Sequence, residues 1–439
     1  MVRFMTHPGK EAALAKMHTA GISNAACEAF AREFDRYASG ESALLPEKDI
    51  EPITRITSFS DLPTMAPEAA EAAVLNQVAV LRLNGGIGTT MGLTTTKSLI
   101  PAHGGLSFIQ IIVKQLDSLR TQWNARLPLI LLNSLATEKE TLTALPDGTA
   151  ISLLQGVVPR LLADSLYPVS WPADPRAEWA PPGHGDLYGV LARTGLLDRL
   201  IEEGYRYLFV ANADNLGASP DPEIAAWFAQ TGADFAAEVV RRGPMDKKGG
   251  HFARRRPDGH VVLRETAQTP PNEIAYFQDY HRHPFANTNN LWLNLSSLKK
   301  IMGQDGYLSL PLIANHKKVA GPGSPEVVQL ESAMGTAIAV FPTSELLAVD
   351  RSRFIPVKNT SDLLLLRSDA FELDKNSRLI DCTAQRPVVS LDPRYFGIYS
   401  EFERRVPVTP SLREATSFTV RGDVVVPPNY VARGDAVIE

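Results

Sequence analysis

Residues 78–99 read VAVLRLNGGIGTTMGLTTTKSL: an apolar run, then Gly85, Gly86, Gly88 and Gly92, then Lys97. Glycines at a strand end remove Cβ atoms, so backbone N–H groups can approach a phosphate or a flat base, and positive φ becomes accessible. Two well-known patterns are excluded. Gly86 and Gly88 begin a G-x-G, but the next glycine is Gly92, one position beyond the dinucleotide fingerprint. Lys97-Ser98 looks like the end of a P-loop, yet Thr96 stands where that loop requires glycine. A glycine-rich turn without a ligand is the plain alternative.

Outward from this stretch, short apolar runs at 128–132, 207–211 and 234–240 alternate with helical patterns. Strands alternating with helices imply βαβ units and a mostly parallel sheet. Such sheets bind ligands beyond the carboxyl ends of their strands, so functional residues belong just after these runs. Upstream, Ala12, Leu14, Met17, Ile22, Ala26 and Phe30 recur at helical intervals, predicting a helical lead-in before a Pro-containing linker at 45–67. Pro257-Asp258-Gly259 supplies turn chemistry for a hairpin within 254–265. Near the end, 417–420, 424–426 and 437–438 read as strands, and Gly422-Asp423 recurs as Gly434-Asp435 twelve residues later. Two such units suggest coils of a left-handed β-helix. A free solenoid needs about three repeats, so this piece must lean on the body or on a partner. The expected domains are 1–73 (helical segment and linker), 74–370 (catalytic) and 371–439 (C-terminal, β-rich).

The length of 439 residues suits two or three structural units at roughly 150 residues each. With 44% hydrophobic and 21% charged residues, the chain can bury a sizeable core, which excludes wholesale disorder. A net charge of −5 gives no global attraction to nucleic acid or anionic membranes. The one basic cluster, Arg254-Arg255-Arg256 with Arg241, Arg242, Lys247 and Lys248, lacks an interleaved aromatic platform and reads as a solvated face or phosphate-steering rim. Cys27 and Cys382 are too few for a disulfide framework and read as two buried thiols in a reducing cytoplasm. Residues 1–16 carry no signal-peptide core and no 18 apolar residues run together, so neither membrane nor nucleic acid is an expected partner.

Leu83 to Gly92 with Lys97-Ser98-Leu99 resembles the nucleotide-binding loop of the eukaryotic-type UTP:glucose-1-phosphate uridylyltransferases, the UDP-glucose pyrophosphorylases. Further matches follow in family order: Leu132-Asn133-Ser134; Gln155 with Val158-Pro159-Arg160; Pro181-Pro182-Gly183-His184-Gly185-Asp186; Asn212-Ala213-Asp214-Asn215-Leu216-Gly217; Asn287-Thr288-Asn289-Asn290-Leu291-Trp292; and Arg351-Ser352-Arg353-Phe354 through Lys358 to Thr360-Ser361-Asp362-Leu363. One of these alone is weak; seven motifs in order are highly specific. The resemblance spans about 75–370 and implies an α/β, glycosyltransferase-A-like Rossmann nucleotidyltransferase domain. It also implies UTP and glucose 1-phosphate as substrates, with Mg2+ as cofactor.

The resemblance assigns roles that physical chemistry can weigh. Asp214 matches the family's magnesium aspartate, and a carboxylate suits an ion held mainly by phosphate oxygens and water; a turn-forming Asp-Asn is the equal alternative. Lys97 and Lys358 match lysines that grip the UTP phosphates, Lys358 being the one regarded as catalytic; taken singly, a lysine is more often solvated. Gln155 offers the donor and acceptor needed at the imide edge of uracil. The backbone of Leu83, Asn84, Gly85 and Gly86, with Gly183 and Asn212, surrounds the nucleoside. His184 matches a sugar-phosphate contact, or is an exposed structural histidine, and no His or Cys at ligand spacing makes it a metal ligand. Asn289 matches a substrate residue, and Glu265 is a sugar-hydroxyl candidate only because such sites need a carboxylate acceptor; a salt-bridged surface glutamate is as good a reading.

Galactose 1-phosphate in place of glucose 1-phosphate, and a catalytically silent sugar-nucleotide sensor, stand as alternatives. N-acetylhexosamine enzymes fit less well, since they typically carry an arginine near Thr90. The chain departs from the family in having Thr95-Thr96 where eukaryotic members usually have Gly-Pro, and in its short C-terminal repeat. That short repeat makes a monomer or a dimer the expected assembly.

Overall fold

A computed structural model describes residues 7–42, 44–62 and 68–439; part of the linker expected at 45–67, and the first six residues, lie outside them. The chain forms two compact units, each built from three stretches: Met1–Asp61, Gln155–Leu208 and Thr231–Ala348 in one, Leu62–Leu154, Phe209–Gln230 and Val349–Glu439 in the other. The fold is mixed α/β, as expected at the level of class.

In the second unit the strands lie in the order Tyr207–Asn212, Val78–Asn84, Leu129–Asn133, Ile151–Leu154. Val80 pairs with Leu129 and Ile130 with Ile151, both in parallel. Val78 to Leu81 and all of Leu129–Asn133 are buried, the mark of strands covered on both faces. Between them runs the helix Phe108–Trp123. Ser107 begins it with a capping box, accepting from Gln110 N while the Gln110 side chain returns to Ser107 N. Phe108, Ile109, Ile112, Leu116 and Leu119 bury one face, and Asn124 ends it at φ 48°.

The first unit corrects the expectation of a mostly parallel sheet. Phe235–Arg241 is parallel to Ser344–Ala348 but antiparallel to Phe285–Asn294. A parallel return needs a crossover, usually helical. Here the connection is instead the hairpin His251–Arg255/Val261–Arg264, which turns at Pro257-Asp258-Gly259 as expected, followed by the short helix Ile274–Gln278. The lead-in forms the helices Pro8–Thr19 and Asn24–Ala38; of the expected stripe Met17 and Phe30 are buried and Leu14 and Ile22 pack half-buried beside them, while the rest of the buried face is Ala13, Cys27 and Phe34 in place of Ala12 and Ala26. These pack on Val158, Leu161, Leu312, Val328 and Leu330.

Four smaller expectations are corrected. Residues 424–426 are not a strand: Pro427 and Pro428 follow with no N–H to donate, and Val426 N bonds Arg405 O at 2.8 Å. The observed C-terminal strands Val388–Leu391, Ser411–Val420 and Val431–Ile438 are parallel, pairing Ser417 with Asp435 and Val420 with Ile438, an offset of eighteen residues rather than twelve. Cys382 is half-buried, unlike buried Cys27. Arg242 leaves the basic cluster altogether: it is buried and donates to Phe277 O and His283 O, each at 3.1 Å.

Ser107→Ala removes the side-chain half of the capping box and should lower stability by about 1 kcal/mol. A urea-unfolding midpoint unchanged from wild type would show that this cap contributes nothing.

Candidate active site

Val78–Asn84 and Tyr207–Asn212 are neighbours in the sheet, and their ends meet where Ala213 N bonds Leu83 O at 3.0 Å. Beneath them Arg82 is fully buried, donating to Asn212 O at 3.3 Å and to Ala218 O, which fixes the turn carrying Asp214. The Asn84 side chain is turned inward to Asn133 Oδ1 (2.7 Å) and Thr141 Oγ1 (2.9 Å), leaving only its backbone for a ligand. Gly85 O is held by Ser134 Oγ at 2.9 Å, and among the described residues the space beside Gly86 is open.

Lys97 closes this group. Its ammonium donates to Asp214 Oδ2 at 2.6 Å and to Val357 O, while its backbone N–H reaches Gly86 O at 3.3 Å. Thr96 sits at φ −60°, ψ 123°, values a proline also takes, and Glu140 accepts both its N–H (2.7 Å) and its hydroxyl (2.8 Å). Val357 N bonds Asp214 O at 3.2 Å, which sets Lys358 next to the same turn. The Lys358 side chain is exposed and makes no ion pair among the described residues. Its backbone N–H is bound at 2.7 Å by Asp362, a carboxylate that burial pushes above its ordinary range. Leu83, Asn84, Gly85, Gly86, Lys97, Asn212, Asp214 and Lys358 are therefore brought together, as the motifs implied.

Asp214 also passes a test for a hard cation. Among the described residues its buried Oδ1 has no hydrogen-bond partner, an arrangement that costs free energy unless a cation or donor arrives. Among the described residues no group of three or more His, Cys, Asp or Glu side chains could hold a metal unaided. A metal here would rest on one protein carboxylate, with phosphate and water supplying the rest.

The first unit carries the other motif residues. Gln155 is half-buried and donates to Gly183 O at 2.8 Å, while among the described residues its carbonyl oxygen accepts no hydrogen bond. Gly183 lies at φ +80°, where a Cβ would also strike the Ser332 backbone, so only glycine fits. His184 Nδ1 accepts from Met334 N at 2.9 Å, which places the ring proton on Nε2 and makes that edge a donor. Asn289 sits where Phe285–Asn294 slips register against Phe235–Arg241, so that Thr288 and Asn289 bulge out between paired neighbours. It adopts φ 61°, tolerated by asparagine and braced by Asn287 Nδ2 to its Oδ1 at 2.8 Å. Glu265 lies beside Asn289's strand: its carboxylate packs on Gly250, whose carbonyl accepts Asn287 N at 2.9 Å. Next to it Arg264 is fully buried between Glu47 and Glu273, each at 2.7 Å.

Sequence reasoning missed several supporting residues: Arg82, Glu140 and Met334 carry no local signal. Asp186 and Asp362 stood inside matching motifs, but nothing in their spacing told what they would hold.

The family model for UTP--glucose-1-phosphate uridylyltransferase matches residues 27–433. The probable UTP--glucose-1-phosphate uridylyltransferase of Schizosaccharomyces pombe is 37% identical over 376 residues, 83% of this chain and 73% of that protein. The Encephalitozoon cuniculi UTP--glucose-1-phosphate uridylyltransferase is 36% identical over 93% of this chain and 82% of its own. Among solved structures, a mutant UDP-glucose pyrophosphorylase of Leishmania major in complex with UDP-glucose aligns with a TM-score of 0.91 and 38% identity, covering 98% of this chain and 94% of that one.

Burial pushes the His184 imidazole down to about 4. A base whose folded pKa lies below its unfolded value, about 6.5, favours the folded state fully above that value and loses this advantage as pH falls from about 6.5 towards 4. Ring nitrogen shifts of 15N-histidine-labelled protein should therefore show His184 as the neutral Nε2–H tautomer from pH 8 down to 5.5. A midpoint near 6.5 would refute that state.

Proposed function

The chain belongs to the UTP--glucose-1-phosphate uridylyltransferase family, and on that premise we propose that it transfers UMP from UTP to glucose 1-phosphate, releasing UDP-glucose and pyrophosphate reversibly. A glucose 1-phosphate oxygen forms a bond to the α-phosphorus of UTP as the bond to pyrophosphate breaks. The second pKa of a phosphate monoester is near ~6, so the nucleophile is already mostly dianionic at neutral pH and needs no general base. What the protein must supply is alignment of two anions and stabilisation of the charge growing on pyrophosphate.

The observation that carries this reading is the junction of Lys97, Asp214 and the segment leading to Lys358, set against the Gly85-Gly86 backbone. In our reading Lys97 and Lys358 hold the UTP phosphates, with Lys358 the exposed cation free to meet developing charge. The backbone of Leu83, Asn84, Gly85, Gly86, Gly183 and Asn212 receives the nucleoside, and Gln155 reads uracil. His184, through its Nε2–H, together with Asn289 and Glu265, binds the sugar phosphate. Asp214 would hold Mg2+, whose contribution when bound is to neutralise phosphate charge.

We further read the strands from residue 78 onward as a glycosyltransferase-A-like Rossmann core, with domains at 1–73, 74–370 and 371–439 and a rudimentary C-terminal β-helix. Among the described residues no helix is long and apolar enough to cross a membrane; we place the enzyme in the cytoplasm.

A panel of sugar 1-phosphates with UTP and magnesium tests the substrate choice, and glucose 1-phosphate should give the fastest pyrophosphate release. Faster turnover of galactose 1-phosphate would overturn it. Lys358→Ala and Asp214→Ala should each lower kcat by about 10²–10³, the usual effect of removing one preorganised contact to a developing anion. Near-normal kcat at saturating substrates would show that the residue does not act on the reacting phosphates. Light scattering after size exclusion should give a monomer or dimer, and a stable hexamer or octamer would refute that assembly.

A further inference from the structure

Gln155 can read a base edge only if its own backbone is fixed, and its single side-chain bond, to Gly183 O, does not fix it. The next residue supplies the constraint. Gly156 N donates to Asp186 Oδ2 at 2.7 Å, and Asp186 is gripped by Arg193 in a two-point fork, Nη1 to Oδ1 at 2.8 Å and Nη2 to Oδ2 at 2.9 Å. Both side chains are largely buried, 13% and 18% exposed, so the pair is screened far less than a surface ion pair. The surroundings are cut to fit it. A Cβ on Gly156 would lie 3.2 Å from Asp186 Oδ2 and 3.4 Å from Arg193 Nη2, and one on Gly189 would lie 3.0 Å from Arg193 Nη1. Gly156, Asp186, Gly189 and Arg193 also line a cavity of about 700 Å³. On that side the turn borders open space, and the Asp186 carboxylate is the partner that holds its Gly156 N–H.

Asp186 and Arg193 begin and end the helix Asp186–Arg193, whose start follows directly on Gly183, His184 and Gly185. The carboxylate thus joins two segments of the first unit: the turn that carries Gln155, and the helix whose preceding loop presents Gly183 O to Gln155. We propose that Asp186, clamped by Arg193, is a positioning residue for base choice: it sets the register between Gln155 and Gly183 on which discrimination of uracil from cytosine depends. This rests on the proposed role of Gln155 as the reader of uracil. A site built to match a polar edge rejects a mismatched analogue strongly only while its own groups are held in place.

The test compares kcat/KM for UTP and CTP, each with glucose 1-phosphate and magnesium, in wild type, Gln155→Ala, Asp186→Asn, Arg193→Gln and Gly156→Ala. Asp186→Asn keeps an acceptor for Gly156 N–H but loses the ion pair, whereas Gly156→Ala keeps every charge and pushes the clamp from the other side. Expected is a UTP:CTP ratio reduced about 10-fold in all three clamp variants through a higher KM for UTP, with KM for glucose 1-phosphate and kcat changed less than about threefold. A merely structural loss would move all parameters together and would overturn the proposal. So would retention of the wild-type ratio in Asp186→Asn and Gly156→Ala while Gln155→Ala abolishes it. If instead wild type shows no preference for UTP, or Gln155→Ala leaves the preference intact, the reading of Gln155 itself fails, and the clamp proposal with it.

Discussion

The arrangement depends first on where the ammonium of Lys97 is placed. It lies mostly out of water against the Asp214 carboxylate at 2.6 Å and the Val357 carbonyl, partners 117 and 260 residues away in the chain. A cation removed from water is tolerated only when its partners satisfy it, so this contact can form only if three separate stretches arrive together. The glycine loop is tied to Lys97 through Gly86 O, the Asp214 turn is seated on buried Arg82, and the segment before Lys358 is bonded to Asp214 O. The parallel pairing of Val78–Asn84 with Leu129–Asn133, and the position of Tyr207–Asn212 beside it, is what carries two of those stretches to one end of the sheet.

The two units carry different kinds of chemical group. The second concentrates charge: two lysines, one carboxylate with an unpaired buried oxygen, and open backbone beside glycine. That is the composition for polyanions, where point charges and oriented N–H groups act on phosphate. The first uses neutral, directional groups. Gln155, a histidine kept neutral by burial, and an asparagine held at positive φ by a bulge present fixed donors and acceptors. Such groups discriminate shape and hydrogen-bond pattern rather than charge. Around them the stronger ionic contacts are structural: Arg264 between Glu47 and Glu273, and the Arg193–Asp186 fork.

Local patterns in the sequence were a sound guide to local structure. Glycine spacing after an apolar run located the loop, the Pro-Asp-Gly turn located the hairpin, and the strands at 78–84, 129–133, 207–212 and 235–241 start and end within a residue or two of the expected runs, whereas the C-terminal strands Ser411–Val420 and Val431–Ile438 each begin six residues early. Errors arose where a distant partner decides. The lead-in helices bury Met17 and Phe30 as expected but Ala13 and Cys27 in place of Ala12 and Ala26, because the surface they meet, Val158 to Leu330, is contributed by later segments. Arg242 looked like part of a basic patch and is a core residue, since two carbonyls elsewhere satisfy it.

By itself, then, the sequence determined the class of fold, the family, and which residue types stand at the strand ends, because propensity, turn chemistry and motif order are properties of neighbouring residues. Only the tertiary structure decided the strand directions in the first unit, the tautomer of His184, the engagement of Lys97 and the fork that holds the Gln155 turn. Each of those is fixed by hydrogen bonds and ion pairs between residues far apart in the chain, and their geometry exists only once the chain has folded.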